Sequence, residues 1–82
     1  MILEIKGAPE GELYDIFLEV MYDEVGQRNL DYVEDAYIID SFGTHIEVQA
    51  DPDHPNWDEN ETDLQIAYEI LDEFYNLEVT TF

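Results

Sequence analysis

Cysteine is absent from this chain, so neither a disulfide framework nor a thiolate metal site can form, and the fold must close on packing alone. Positive charge is almost absent too. Lys6 and Arg28 stand against twenty-two aspartates and glutamates, for a formal net charge of −20. Long apolar runs are also missing: none approaches the ~20 residues that a membrane-spanning helix needs. The opening Met1-Ile2-Leu3-Glu4-Ile5-Lys6 is only briefly apolar and has no basic region before it, unlike a signal peptide. A cytoplasmic protein is expected. No internal repeat, low-complexity tract or linker interrupts the chain.

What remains is enough to fold. Of 82 residues, 45% are hydrophobic and 13% aromatic, more than a disordered chain usually carries. The length fits one domain, residues 1–82, with one core and a thin stability margin.

The periodicities predict an α+β domain. Met1 to Lys6 alternates as a strand, and Gly7-Ala8-Pro9-Glu10-Gly11 breaks it. From about Glu12 to Val25, Leu13, Ile16, Phe17, Val20 and Met21 follow the spacing of an amphipathic helix, with Gly26 as its stop. Tyr32–Asp40 and Thr44–Ala50 read as two strands of a hairpin turned by Ser41-Phe42-Gly43. Asp51 to Trp57 is a loop held out of regular structure by Pro52 and Pro55. A second helix is expected from Asn60 or Glu61 to Asn76, capped by Asn60 or Thr62. Its core face would be Leu64, Ala67, Tyr68, Leu71, Phe74 and Tyr75, widened by Ile66 and Ile70. The tail 77–82 has the composition of a last strand. The order β-α-β-β-α(-β) describes two helices on an antiparallel or mixed sheet. It matches the ferredoxin-like split βαβ arrangement, and other sheets covered by two helices fit it equally.

Function is constrained chiefly by charge. Nucleic acid and anionic membranes would be repelled, which leaves basic proteins as direct partners. Compact-domain scaling gives a radius of gyration near ~12 Å, hence a diameter of roughly 30 Å. A DNA duplex of that length holds roughly 18 charges, close to what this chain carries. On the first helix Glu12, Asp15, Glu19 and Asp23 fall within about 80° of arc, opposite the core face. On the second, Glu61, Glu69 and Asp72 share a stripe with Glu73 beside it. A further group comprises Asp51, Asp53, Asp58, Glu59, Glu61 and Asp63. Successive turns place such carboxylates about 6 Å apart along the helix axis. Any charged helix face is ordinarily just solvated, yet like charges four residues apart cost a few tenths of a kcal/mol per pair, and neither helix carries a compensating lysine or arginine.

Other chemistries find no support in the spacing. Calcium would suit clustered carboxylates, but an EF-hand loop counted from Asp51 lacks glycine at its sixth position and has Thr62 at its twelfth. His45 and His54 belong to no triad or metal-binding pattern. No glycine-rich phosphate loop is present. Neither an enzyme, a cofactor, a metal site nor a small-molecule substrate is expected. Tyr14, Tyr22, Tyr37 and Trp57 are candidate interface anchors, with core positions favoured for Tyr37 and Tyr68.

In size, charge and lack of catalytic motif the chain resembles the acidic DNA-mimic inhibitors of phages and mobile elements, among them anti-CRISPR proteins, anti-restriction proteins and uracil-DNA glycosylase inhibitors. The resemblance is compositional and spans the whole chain. It implies an inhibitor that fills the basic DNA- or RNA-binding groove of a CRISPR effector, restriction enzyme or similar target, in the cytoplasm of the host cell if phage-encoded. Two alternatives share the composition. One is a housekeeping domain of a halophile, whose acids would be spread evenly. The other is an antitoxin or adaptor that neutralises one basic partner.

Overall fold

The computed structural model describes the whole chain, Met1 to Phe82. The elements are β1 (Ile2–Lys6), α1 (Glu10–Glu19) continued by a π-helical turn (Val20–Glu24), α2 (Leu30–Ala36), β2 (Tyr37–Ser41), β3 (Ile46–Ala50), α3 (Trp57–Phe74) and β4 (Glu78–Thr81). The strands form one sheet in the order β2-β3-β1-β4, every neighbouring pair antiparallel. It follows that β1 runs parallel to β2 across β3, and β3 parallel to β4 across β1. These are two interlocked split βαβ units, the ferredoxin-like connectivity, with α2 added in the first crossover.

Strand alternation decides where the helices lie. Leu3 and Ile5 of β1 and Ile46, Val48 and Ala50 of β3 are buried, while the intervening Glu4, Lys6, Glu47 and Gln49 face away from the core. With one apolar face, the sheet is covered on one side only. Against it pack Leu13, Phe17 and Leu18 of α1, Val20 and Met21 of the π turn, Val33 and Ala36 of α2, and Leu64, Ala67 and Leu71 of α3. Phe17 meets Tyr37 edge to face, with ring centroids 5.7 Å apart. No helix is long and apolar enough to cross a membrane.

Several expectations are corrected. The predicted strand Tyr32–Asp40 begins as a helix. The Asn29 carboxamide oxygen accepts a hydrogen bond from the Tyr32 amide at 2.7 Å, the N-cap geometry that starts a helix. From there Leu30, Val33 and Ala36 follow a helical period, and only at Tyr37 does the chain extend. Three helical segments therefore cover the sheet where two were expected. The first helix changes character at Val20: the Val25 amide bonds the carbonyl of Val20, five residues back, at 2.9 Å. Gly26 then ends it at φ +86°, a conformation that glycine adopts without strain. Gly43 plays the same part at φ +84° in the hairpin turn.

The last helix starts at Trp57, directly after the two-proline loop, so Asn60 and Thr62 lie inside it and cap nothing at its end. Its buried arc is narrow: Asn60, Leu64, Ala67 and Leu71. At 100° per residue Ile66 falls about 160° from Leu64, on the opposite side of the helix. Phe74 lies within about 20° of Ala67 in angle but is the last residue of α3, three beyond the final buried position, Leu71. Both are exposed, Phe74 by 76%, and neither belongs to the core.

Candidate functional site

The two sides of the molecule differ in charge because acids are unevenly shared between element types. Only Glu4, Asp40, Glu47 and Glu78 lie in strands and only Asp51 and Asp53 in a connecting loop; every other acid is on α1, the π turn, α2 or α3. None of these helical segments contains a lysine or arginine, and none has a basic residue in its last turn. On α1, Glu12, Asp15 and Glu19 are exposed, and Asp23 and Glu24 continue the row on the π turn. On α3, Asp58, Glu59, Glu69, Asp72 and Glu73 are exposed. Carboxylates at Asp72 and Glu73 sit at the negative end of their helix dipole, and Glu69 and Glu73 repel across one turn. The field reaches neighbouring phenols. Tyr75 is pushed up from its ordinary pKa by burial and then by Glu24, Glu19 and Asp23. Tyr14 is pushed up by burial, Glu34 and Asp15.

Within this face runs a shallow open groove between α1 and the start of α2. Its floor is Ile16, Leu18 and Leu30, and its walls are Glu12, Asp15 and Glu19. Beyond Leu30 it continues along Tyr22, Asn29 and Asp31. Leu30 and Tyr22 are 44% and 46% exposed.

Beneath the acidic layer a buried polar network ties the segments together. The Gln27 amide donates to the Tyr37 hydroxyl at 2.7 Å and to Asp63 Oδ2 at 3.0 Å. Tyr37 donates to the Asn60 carbonyl at 3.1 Å, and Tyr32 donates to Asn60 Oδ1 at 2.8 Å. His54 Nδ1 accepts from the Asn56 amide at 3.1 Å, and its ring meets Tyr32 edge to face. Asn60 is fully buried. Burial pushes the Tyr37 phenol well above its ordinary pKa, against the opposing pull of the Gln27 hydrogen bond. The network fixes α2 and the proline loop against α3, and so sets the relative position of the acidic helices.

The opposite, open face of the sheet is chemically different. Lys6 Nζ pairs with Glu4 Oε1 at 2.9 Å, which holds the Glu4 carboxyl below the usual carboxylate range and raises the lysine. His45 Nε2 faces Glu47 Oε2 at 3.5 Å and Glu4 Oε2 at 3.9 Å. Phe42 stacks on the imidazole at 5.0 Å. The ligand-type atoms of Glu4, His45 and Glu47 lie within 4.8 Å of one another, but the Lys6 ammonium already partners Glu4. The Lys6–Glu4 pair lets this face neutralise one of its own carboxylates.

Comparison with protein-family models, with curated proteins and with solved structures returns no significant match.

Of the acids singled out in the sequence, α1 brings Glu12, Asp15 and Glu19 together around the groove. The group from Asp51 to Asp63 does not form one surface. Asp51 Oδ1 accepts from the Asp53 amide at 2.9 Å, Asp58 to Asp63 belong to α3, and Glu61 pairs with the Met1 amine at 2.7 Å. Asp53, Asp58 and Glu59 remain exposed. Tyr37 is buried and Tyr68 half-buried against the core, while Trp57 and Tyr22 are exposed. Leu30 was missed because its segment read as part of a loop before a strand. The signal was present: Asn29 as a cap, followed by Leu30, Val33 and Ala36 at helical spacing.

Proposed function

We propose that the protein is a nucleic-acid mimic, an inhibitor whose acidic helical layer occupies the basic DNA- or RNA-binding groove of a target such as a CRISPR effector or restriction enzyme. The observation that carries this reading is the segregation of charge. The helical segments hold most of the acids and no lysine or arginine, whereas the open sheet face carries few acids and pairs Glu4 with Lys6. The even coat expected of salt adaptation would not divide the molecule in this way.

Dimensions agree with the reading. The molecule is 31 Å long, and a duplex of that length carries roughly 18 phosphate charges, against a net charge of −20 here. Carboxylates at Glu69, Asp72 and Glu73, near the C-terminal end of α3, weaken the helix that bears them. Folding gains nothing from them, while binding to lysine and arginine would. Charge of this density would steer encounter with a basic groove, and occupation of the groove would exclude the nucleic acid.

The test is capture of binding proteins from bacterial lysate on the tagged protein, with elution by salt and, separately, by DNA or RNA. A single nucleic-acid enzyme released by its own substrate, and inhibited by the protein in a purified assay, is the expected result. An interacting protein that nucleic acid does not displace would overturn mimicry in favour of an adaptor or antitoxin role.

A further inference from the structure

We infer that the groove between α1 and α2 is where the partner is recognised by more than charge: it seats an apolar side chain flanked by arginines on a basic segment of the partner. This rests on the reading above for the partner being a basic protein, and adds the chemistry of the contact.

Leu30 is the first residue of α2, at a position where a polar or acidic side chain would suit both solvent and the helix dipole. Instead it is 44% exposed, beside Tyr22 at 46%. With Ile16 and Leu18 it makes an apolar floor, and every ionised group lining the groove on either side of it is a carboxylate: Glu12, Asp15, Glu19 and Asp31. Complementarity narrows the occupant. A purely apolar segment would desolvate those carboxylates without pairing them. A phosphate-bearing ligand would be repelled. A bare cation or a run of lysines would satisfy the walls and leave the floor unmatched.

An apolar residue between arginines matches both. Its side chain would cover Leu30, while the aliphatic stems of the arginines lie along the groove and their guanidinium groups reach the carboxylates. Arginine is favoured over lysine because its weakly hydrated, planar head also stacks on an aromatic ring such as Tyr22. The chain already uses that contact internally, with the Arg28 guanidinium 4.8 Å from the centre of the Tyr32 ring.

The experiment uses two synthetic arginine-rich peptides of equal length and charge, one with leucines between the arginines and one with serines in their place. Each is titrated into the full-length protein and into Leu30→Ser by calorimetry, with amide chemical shifts followed by NMR. Leu30 is exposed, so the variant is expected to keep its fold, and the same spectra report whether it does. Glu12→Gln with Asp15→Asn serves as a second variant that leaves Leu30 in place. The leucine peptide is expected to bind the native protein about tenfold more tightly than the serine peptide. Its shift changes should centre on Ile16, Leu18, Tyr22 and Leu30. Leu30→Ser should abolish the difference between the peptides, and the double variant should weaken both. Equal affinities for the native protein, or shift changes centred on Ile66 and Phe74 of α3, would overturn the proposal. Leucine-dependent binding through Leu30 without inhibition of any nucleic-acid enzyme would support the groove and defeat the mimicry. Inhibition that Leu30→Ser leaves unchanged would do the reverse.

Discussion

The helical layer and the open face of the sheet are made from the same acid-rich chain, yet they differ in how densely acids are placed and in whether a lysine stands among them. On the sheet, Glu4 has Lys6 at 2.9 Å, whereas a histidine beside a carboxylate occurs on both sides, His45 with Glu47 at 3.5 Å and His54 with Asp35 of α2 at 3.4 Å. On the helices, carboxylates follow one another at Glu12, Asp15, Glu19 and Asp23 with no lysine or arginine on the same element. A surface whose only task is solubility can intersperse both signs, as the sheet partly does. The difference teaches that the acidity is concentrated on the helices of one side of the molecule, at a local stability cost that the proposed binding to a basic partner would offset.

The largest effect should come from breaking the contrast directly. Neutralising Glu12, Asp15, Glu19 and Asp23 to Gln or Asn should weaken binding to the captured basic partner by about a hundredfold or more at low salt, through loss of several charge pairs. Neutralising Asp40, Glu47 and Glu78 on the strands should change it less than about threefold. Surface plasmon resonance at low and high salt reads both, and equal losses from the two sets would erase the distinction between the faces.

Next in size is the network that holds the helices in place. Asn60→Ala removes the acceptor of the Tyr32 hydroxyl and leaves buried groups unpaired, at a cost of about 2 kcal/mol, to be measured by urea unfolding. A loss below about 0.5 kcal/mol would mean that the network is incidental to the position of α3.

Salt sharpens the contrast in a different way. Screening the self-repulsion of the acidic layer should raise stability by about 1 kcal/mol between low and molar salt. The helix-neutralised variant should respond less, and the strand-neutralised variant nearly as much as the parent. Thermal unfolding across a salt series gives all three.

The smallest effect is confined to alkaline pH. The folded-state pKa of Tyr37 is raised above the ordinary value of 10.0, with Tyr14 and Tyr75 shifted in the same direction. A raised folded-state pKa means that the native state holds its proton more tightly. Stability is therefore fully present below about pH 10 and declines as pH rises above that value. Urea unfolding at pH 9 and pH 11 should display the decline, and Tyr37→Phe should reduce it. An unchanged slope in that variant would assign the titration to another group.

Much of the fold was legible because one signal dominated each element. Leu3 and Ile5 alternate with Glu4 and Lys6, and Ile46, Val48 and Ala50 alternate with Glu47 and Gln49, so β1 and β3 follow from period alone. The helical period of Leu13 and Phe17, with Gly26 as a stop, likewise gave the first helix. Residues 32–36 were misread because Tyr32 and Val33 favour strands intrinsically, while the deciding interaction is one hydrogen bond that the Asn29 side chain accepts from the Tyr32 amide. Phe74 was misplaced because its angle matches the buried arc, and period alone does not reveal that full burial along α3 stops at Leu71. For the candidate site, the carboxylates of α1 were legible from spacing. The groove was not, because Leu30 meets Ile16 and Leu18 only through tertiary packing of α2 on α1. His54, Asn60, Gln27 and the two tyrosines form a network that no local pattern announces.

The most direct test of the central claim is a competition measurement on the purified target enzyme, with its DNA or RNA substrate and three forms of this protein: native, helix-neutralised and strand-neutralised. Displacement of substrate by the native and strand-neutralised forms, lost in the helix-neutralised form and weakened by salt, is the predicted result. Displacement that survives neutralisation of Glu12, Asp15, Glu19 and Asp23, or depends on the strand carboxylates instead, would contradict it.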